Sequence, residues 1–372
     1  MTPAALRLLA DDLTGALDSA AAFGAGVPVH LDRPGAVNAG AAVQVVATAT
    51  RDVQADELPA LLGDCVPWLA GAGLAFKKVD SLLRGNTLDE VRWLAAAGGF
   101  RRVVFAPAFP AQGRYTLGGR LAVAPPGGSV DQAEARGQDL REALQAGAWP
   151  AGCTLELPEV RSQADLARLV ARPARRETDT GPTLWCGSAG LAAALADAAS
   201  KEGREGGQAV RRPPNPGPVW VIGASHQPVT RRQWAHAMAA HPDAVTVRHG
   251  DAAEFDQALT RLAGDAARPA LALLDLSPLT PLMPAEAATL LHAQVQRLAA
   301  LPQGPARLLV LGGDTAQALV RATGVDHLVS GQPVRPGWGQ ASWVGGRWDG
   351  LWMDCRSGAF GGGDDLLAAL GL

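Results

Sequence analysis

Short apolar runs recur along this chain with helix-like segments between them, and that order constrains the fold more than any other feature. A strand covered on both faces reads as an unbroken apolar run, and joining two such strands in parallel requires a crossover that is usually a helix. Strands are expected at LRLLA (6–10), VPVHL (27–31), VQVVATA (43–49), GLAFKKV (73–79), RVVFAPA (102–108) and PTLWCG (182–187). Helices are expected over Gly15–Phe23, Asp56–Ala70, Thr87–Ala97 and 188–200, the last capped by Ser188. After residue 218 the alternation resumes with VWVIGA, VTVRH, LALLDL and RLLVLGGD, interleaved with helices starting at Thr230, Ala252 and Glu286.

The pattern breaks at KEGREGGQAVRRPPNPGP, where Gly, Pro and charge replace apolar periodicity. A chain of 372 residues has room for two domains. The reading is therefore α/β with two domains, residues 1–200 and 219–372, joined by a linker over 201–218, each with a mainly parallel sheet flanked by helices. Gln332–Arg356, rich in Gly and Trp, fits an antiparallel hairpin.

In open α/β sheets ligands gather at the carboxyl ends of strands, so the chemistry is sought in the loops there. Asp11 and Asp12, in LADDLTGAL, follow the first strand. Lys77 and Lys78 end another, and Asp80, Ser81, Arg84 and Gly85 come next. The chain has 33 basic residues, yet its only lysines are Lys77, Lys78 and Lys201, so a Lys pair beside Arg84 marks an anion site. A third loop, APAFPAQGRYTLGGR at 106–120, brings Arg114, Tyr115 and Thr116. In the second half, Gly312, Gly313, Asp314 and Thr315 join a strand to a helix, whose N-terminal N–H groups suit a phosphate. Ser225 and Thr230 repeat that arrangement, and CRSGAFGGGDDLL places Ser357, Gly358 and Gly361 before a terminal helix.

Several classes drop out. A formal net charge of -3 and the lack of a Lys/Arg block argue against nucleic acid. Four scattered cysteines without CxxC fit reduced thiols, and no apolar run is long enough for a membrane span. The N-terminus lacks a signal-peptide pattern, so a cytoplasmic location is expected. There is no GxxxxGK[ST], no GxGxxG after the first strand, no GxSxG and no HExxH.

LADDLTGA, KKVDSLLRGN, APAFPAQGRYTLGG, GGDTA and SGAFGGGD, in this order, resemble the ordered motifs of the four-carbon acid sugar kinases, which include 3-oxotetronate, threonate and erythronate kinases. The resemblance implies an N-terminal acid-sugar domain, a C-terminal nucleotide domain, and transfer of the γ-phosphoryl of ATP, with Mg²⁺, to the terminal hydroxyl. It puts Asp11, Asp12, Lys78, Asp80, Ser81 and Arg84 in the sugar site, with Arg114 on the neighbouring loop. Asp12 or Asp80 is then the proton acceptor, and Lys78 and Arg84 hold the substrate carboxylate. The nucleotide site takes Ser225, Gly312, Gly313, Asp314, Thr315, Gly358 and Gly361, and no resident metal site is expected. Its partners are small molecules rather than nucleic acid or membrane, and a homo-oligomer is compatible with it. Two departures stand out: LAVAPPGGSV follows Gly119–Arg120 where His-Pro and Thr-Pro-Met are usual, and Arg356 replaces a Lys. A non-catalytic acid-sugar sensor and an NAD(P)-dependent dehydrogenase of a small hydroxy acid are the alternative readings. Lys77, one residue before Lys78 on a strand, is expected to face the other way.

Overall fold

The structure, a computed structural model, describes residues 5–35, 40–125, 127–147, 149–172, 181–201, 217–264, 269–332, 337–358 and 361–371. The chain forms two compact units, Met1–Gln208 and Ala209–Leu372. Most of the expected linker, residues 202–216, lies outside the described residues.

Unit 1 contains β1 (Leu6–Ala10), β2 (Pro28–Leu31), β3 (Val43–Ala47), β4 (Leu74–Lys78), β5 (Arg102–Ala106), β6 (Arg114–Leu117), β7 (Arg120–Val123), β8 (Glu134–Arg136), β9 (Thr154–Glu156) and β10 (Thr183–Gly187). Its main sheet runs β2-β3-β1-β4-β10-β5-β9 with every pairing parallel. From β1 the chain passes to β2, returns to β3 between the two, then crosses to the far side of β1 with β4. That reversal makes the β1/β4 edge a topological switch point, where a crevice opens. Leu8, Leu9, Val45 and Val46 are wholly buried, which is why these strands read as unbroken apolar runs.

Unit 2 contains β11 (Val219–Gly223), β12 (Val245–Val247), β13 (Leu271–Asp275), β14 (Arg307–Leu311), β15 (His327–Ser330), β16 (Trp338–Val344) and β17 (Trp352–Arg356). The order β12-β13-β11-β14-β17-β16-β15 starts with the same winding as unit 1, so its switch point lies between β11 and β14. The expected hairpin is the antiparallel pair β16–β17, and β17 also pairs in parallel with β14.

Two expectations are corrected, and some strands are additional. The helix expected over 56–70 is divided into Leu58–Leu62 and Cys65–Ala70, with Gly63 ending the first piece. Arg114, Tyr115 and Thr116 stand on β6 of a small antiparallel sheet, β6-β7-β8, rather than in an open loop. β9 and β15 lie outside the strands expected from the sequence. Among the described residues, no helix is long and apolar enough to cross a membrane.

Candidate functional sites

The parallel order β3-β1-β4 brings three polar loops together at the carboxyl edge of unit 1. Asp12 caps the helix Leu13–Ala22, accepting from Gly15 N at 3.0 Å, so this capping carboxylate also faces the crevice. A Cβ on Gly15 would lie 2.5 Å from Asp12 Oδ1 and 2.8 Å from Lys78 Nζ. The bare glycine therefore lets the carboxylate and the ammonium converge above it. Lys77 takes the other face of β4 and forms an ion pair with Glu90, both side chains being wholly buried.

Arg51, which the sequence reading missed, organises the pair of aspartates. Its Nε donates to Asp11 Oδ2 at 2.8 Å and Nη2 to Asp11 Oδ1 at 3.1 Å, while Nη1 donates to Asp12 Oδ2 at 3.1 Å. Burial works against ionisation at both ends of this cluster, but the opposite charges win. Asp11 is held below the usual carboxylate range by Arg51 with help from Lys77 and Lys78, and Asp12 and Asp11 push the Arg51 guanidinium upward. The available signal was positional: Thr48, Thr50 and Arg51 follow β3, the third strand at this edge. Asp18, on the same helix as Gly15, is pushed up by burial against the counteracting charge of Lys78.

The Asp80–Asn86 loop is fixed from two sides. Leu82 N (3.0 Å), Arg84 N (3.2 Å) and Arg84 Nε (3.0 Å) donate to Asp80 Oδ2, and Arg84 Nη2 donates to Oδ1 at 2.7 Å. Burial would raise the Asp80 carboxyl, yet Arg84 holds it far below its ordinary value. Arg84 itself is about half exposed, so the far side of its fork is open to a ligand. Asn86 Nδ2 donates to the carbonyls of Thr50 (3.0 Å) and Val53 (2.6 Å), and Asn86 N to that of Arg51 at 2.9 Å. Gly85, with φ 64°, leaves room for that contact, since a Cβ would lie 2.1 Å from the Arg51 carbonyl oxygen. Ala49 and Leu83 also adopt left-handed φ, of 53° and 58°, at a cost of about 1–3 kcal/mol each. Arg114 reaches in from β6 and donates to Ser81 Oγ. It borders a cavity of about 740 Å³ that Leu82, Pro110, Val123, Gln132 and Arg136 also line.

In unit 2, Gly312 has φ 126° and ψ 136°, which only glycine tolerates, and opens the helix Gly313–Thr323 at the end of β14. Asp314 is exposed and Thr315 buried in that first turn. Gly312 N donates to the Arg356 carbonyl at 2.9 Å, tying this turn to the one after β17. There a Cβ on Gly358 would lie 2.4 Å from Ser225 Oγ, and Thr230 Oγ1 donates to the Gly358 carbonyl. Gly361, with φ 85°, leaves space for Asp365, whose Oδ2 a Cβ would approach to 2.6 Å. Arg356 is wholly buried beneath this turn: it donates to Gln233 Oε1 and to the Ser357 carbonyl at 2.8 Å, and lies 5.3 Å over the Trp338 ring. Burial pushes its guanidinium down to about 10, opposed by Asp365. Arg356 is thus a support for the glycine turn, positioned behind it.

Residues 6–143 match the sugar-binding N-terminal domain family. The chain is similar to the D-threonate kinase of Cupriavidus necator, 28% identical over an alignment of 382 positions that spans 89% of this chain and 88% of that protein. It is also similar to the D-threonate kinase of Bordetella bronchiseptica, 28% identical over an alignment of 414 positions that spans 98% of this chain and 96% of that protein. A solved structure from Salmonella typhimurium LT2 carries the same fold, with a TM-score of 0.73 at 20% identity and 98% coverage of both chains.

Proposed function

For a chain that belongs with the four-carbon acid sugar kinases, we propose an ATP-dependent phosphorylation of the terminal hydroxyl of a four-carbon acid sugar, with unit 1 as the acceptor domain and unit 2 as the nucleotide domain. The observation that carries this reading is the cluster at the β1/β4 switch point, where Asp11 and Asp12, bridged by Arg51, converge with Lys78. Such a site can bind an anionic polyol at one end and take up a proton at the other.

Lys78 and the open side of Arg84 hold the substrate carboxylate, the one as a point charge and the other as a fork. Asp12 accepts the proton from the attacking hydroxyl. Of the two candidate bases it is the better placed: its carboxylate is 16% exposed, whereas Asp80 is 7% exposed and receives four hydrogen bonds. Protonating Asp80 would cost those bonds, so its role is to orient Arg84. Asp11 and Arg51 fix Asp12 in turn.

The turns of unit 2 fit a nucleoside triphosphate. Gly312 and Gly358 carry no Cβ where a phosphate must approach the backbone, and the N–H groups of the helix Gly313–Thr323 complement its charge. ATP would supply the γ-phosphoryl group, with Mg²⁺ neutralising charge on its oxygens. The ion would be carried mainly by phosphate oxygens and water.

The test is ADP release from ATP and Mg²⁺ with a panel of D- and L-threonate, erythronate and 3-oxotetronates. Turnover on one member, lost in Asp12→Asn with little change in KM, is the expected result. An inert panel, or full kcat in both Asp12→Asn and Asp80→Asn, would overturn the reading.

A further inference from the structure

At the carboxyl edge of unit 2, the row of loops continues past Ser225 into a polar cluster that the phosphate turns do not use. Gly223 of β11 pairs with Leu311 of β14 on one side and with Asp275 of β13 on the other. Beyond β13 lies β12, which leads to His249.

Arg231 is the centre of this cluster. Its Nη1 donates to Asp275 Oδ2 at 2.8 Å and to His249 Nδ1 at 2.7 Å, and its Nη2 donates to the Pro278 carbonyl at 3.0 Å and to His226 Nδ1 at 3.1 Å. Asp275 is buried and also accepts from Ser277 N at 3.2 Å. A guanidinium only donates, so both imidazoles accept at Nδ1 and carry their ring hydrogen at Nε2. Burial and then the charge of Arg231 hold His226 below its usual range, in the neutral form this requires. Two exposed rings therefore offer Nε2–H donors on the edge away from Arg231. His249 has a left-handed φ of 53° and its N–H donates to Asp275 Oδ2 at 3.4 Å, so its backbone is held where the ring is presented.

An apolar surface adjoins these donors. Leu279, Leu282 and Met283 follow Pro278 directly and are exposed by 73%, 38% and 69%, making them three of the five exposed large hydrophobics among the described residues. Paired N–H donors beside an apolar ledge match a heteroaromatic base and its ribose, whose ring nitrogens and hydroxyl oxygens accept while the flat face is apolar. Two or three strand spacings separate β14 from β13 and β12, roughly 10–14 Å. That is the scale on which a nucleoside triphosphate separates its base from its terminal phosphate.

We propose that His226, His249 and the Leu279–Met283 segment receive the nucleoside half of the nucleotide, with Arg231 and Asp275 fixing the two imidazoles. The proposal rests on the kinase reading and extends it to nucleotide selection.

Calorimetric titration of the full chain tests it, using ATP and inorganic tripolyphosphate as separate probes. In His226→Ala/His249→Gly, where glycine accepts the left-handed φ, ATP affinity is expected to fall roughly tenfold, the loss of two neutral hydrogen bonds, while tripolyphosphate affinity stays unchanged. Leu279→Ser, at a position 73% exposed, is expected to weaken ATP alone. Unchanged ATP affinity in both variants, or equal loss for ATP and tripolyphosphate, overturns the proposal and leaves the kinase reading intact. A wild-type chain that binds neither probe overturns both.

Discussion

Glu90→Leu is expected to destabilise unit 1 severely, although Glu90 lies outside the crevice. Lys77 and Glu90 form an ion pair in which both side chains are 0% exposed, under the helix Thr87–Ala97. Removing one partner leaves an uncompensated charge in the interior and costs about 3–5 kcal/mol. For a unit of this size that is a fall in Tm of about 6–20 °C. Lys77→Met is expected to cost a similar amount by leaving the Glu90 carboxylate alone. The double variant Lys77→Met/Glu90→Leu removes both desolvation penalties and refills the volume with apolar atoms. It is expected to range from neutral to about 4 kcal/mol more stable than the wild type. The assay is urea unfolding of the four proteins as a double-mutant cycle, with kcat/KM measured on each folded variant. Activity should survive in the double variant, because Lys77 occupies the face of β4 opposite Lys78. Single variants within about 1 kcal/mol of wild type, or a double variant as unstable as the singles combined, would refute the reasoning. A folded but inactive double variant would put Lys77 in the site after all.

Arg84 holds Asp80 below its unfolded pKa, so the stability from that pair is complete above about pH 4 and is lost as the pH falls toward the folded value. Acid unfolding should accordingly be shallower in Asp80→Asn than in wild type, and parallel curves would contradict this. Gly85→Ala forces a left-handed alanine against the Arg51 carbonyl, and should lose more than about 1–2 kcal/mol and raise KM for the acid sugar; wild-type stability would show that the contact yields. Cys65, Cys186 and Cys355 are buried, with burial pushing the Cys65 thiol up to about 12, while Cys153 is partly exposed. Ellman's reagent at neutral pH should therefore find one fast thiol in the native chain and all four in urea; two fast thiols would show that one of the three interiors opens.

The strands β1, β4 and β5 and the helix Thr87–Ala97 are legible because each is a local pattern: a buried apolar run, or apolar residues at helical spacing. The small sheet β6-β7-β8 is not, since its short strands are bounded by glycines that read equally well as loop, and β8 is exposed throughout. Arg51 escaped notice for a related reason. Nothing in ATATRDVQ identifies a partner; only the placement of β3 beside β1 brings it to Asp11 and Asp12.

The sequence by itself determined which residue types stand at the carboxyl ends of strands and that the chain alternates strand and helix on both sides of residues 201–218. These are properties of periods two and 3.6, and they need no distant contact. Tertiary structure decided which partners each of those residues meets. Asp80 is spent on Arg84, Lys77 on Glu90 and Arg356 on the turn it supports, whereas Asp12 and Lys78 converge over a glycine. Two strands pair whatever lies between them in the chain, so the neighbours that fix a charge, and its protonation, exist only once the sheet order is set.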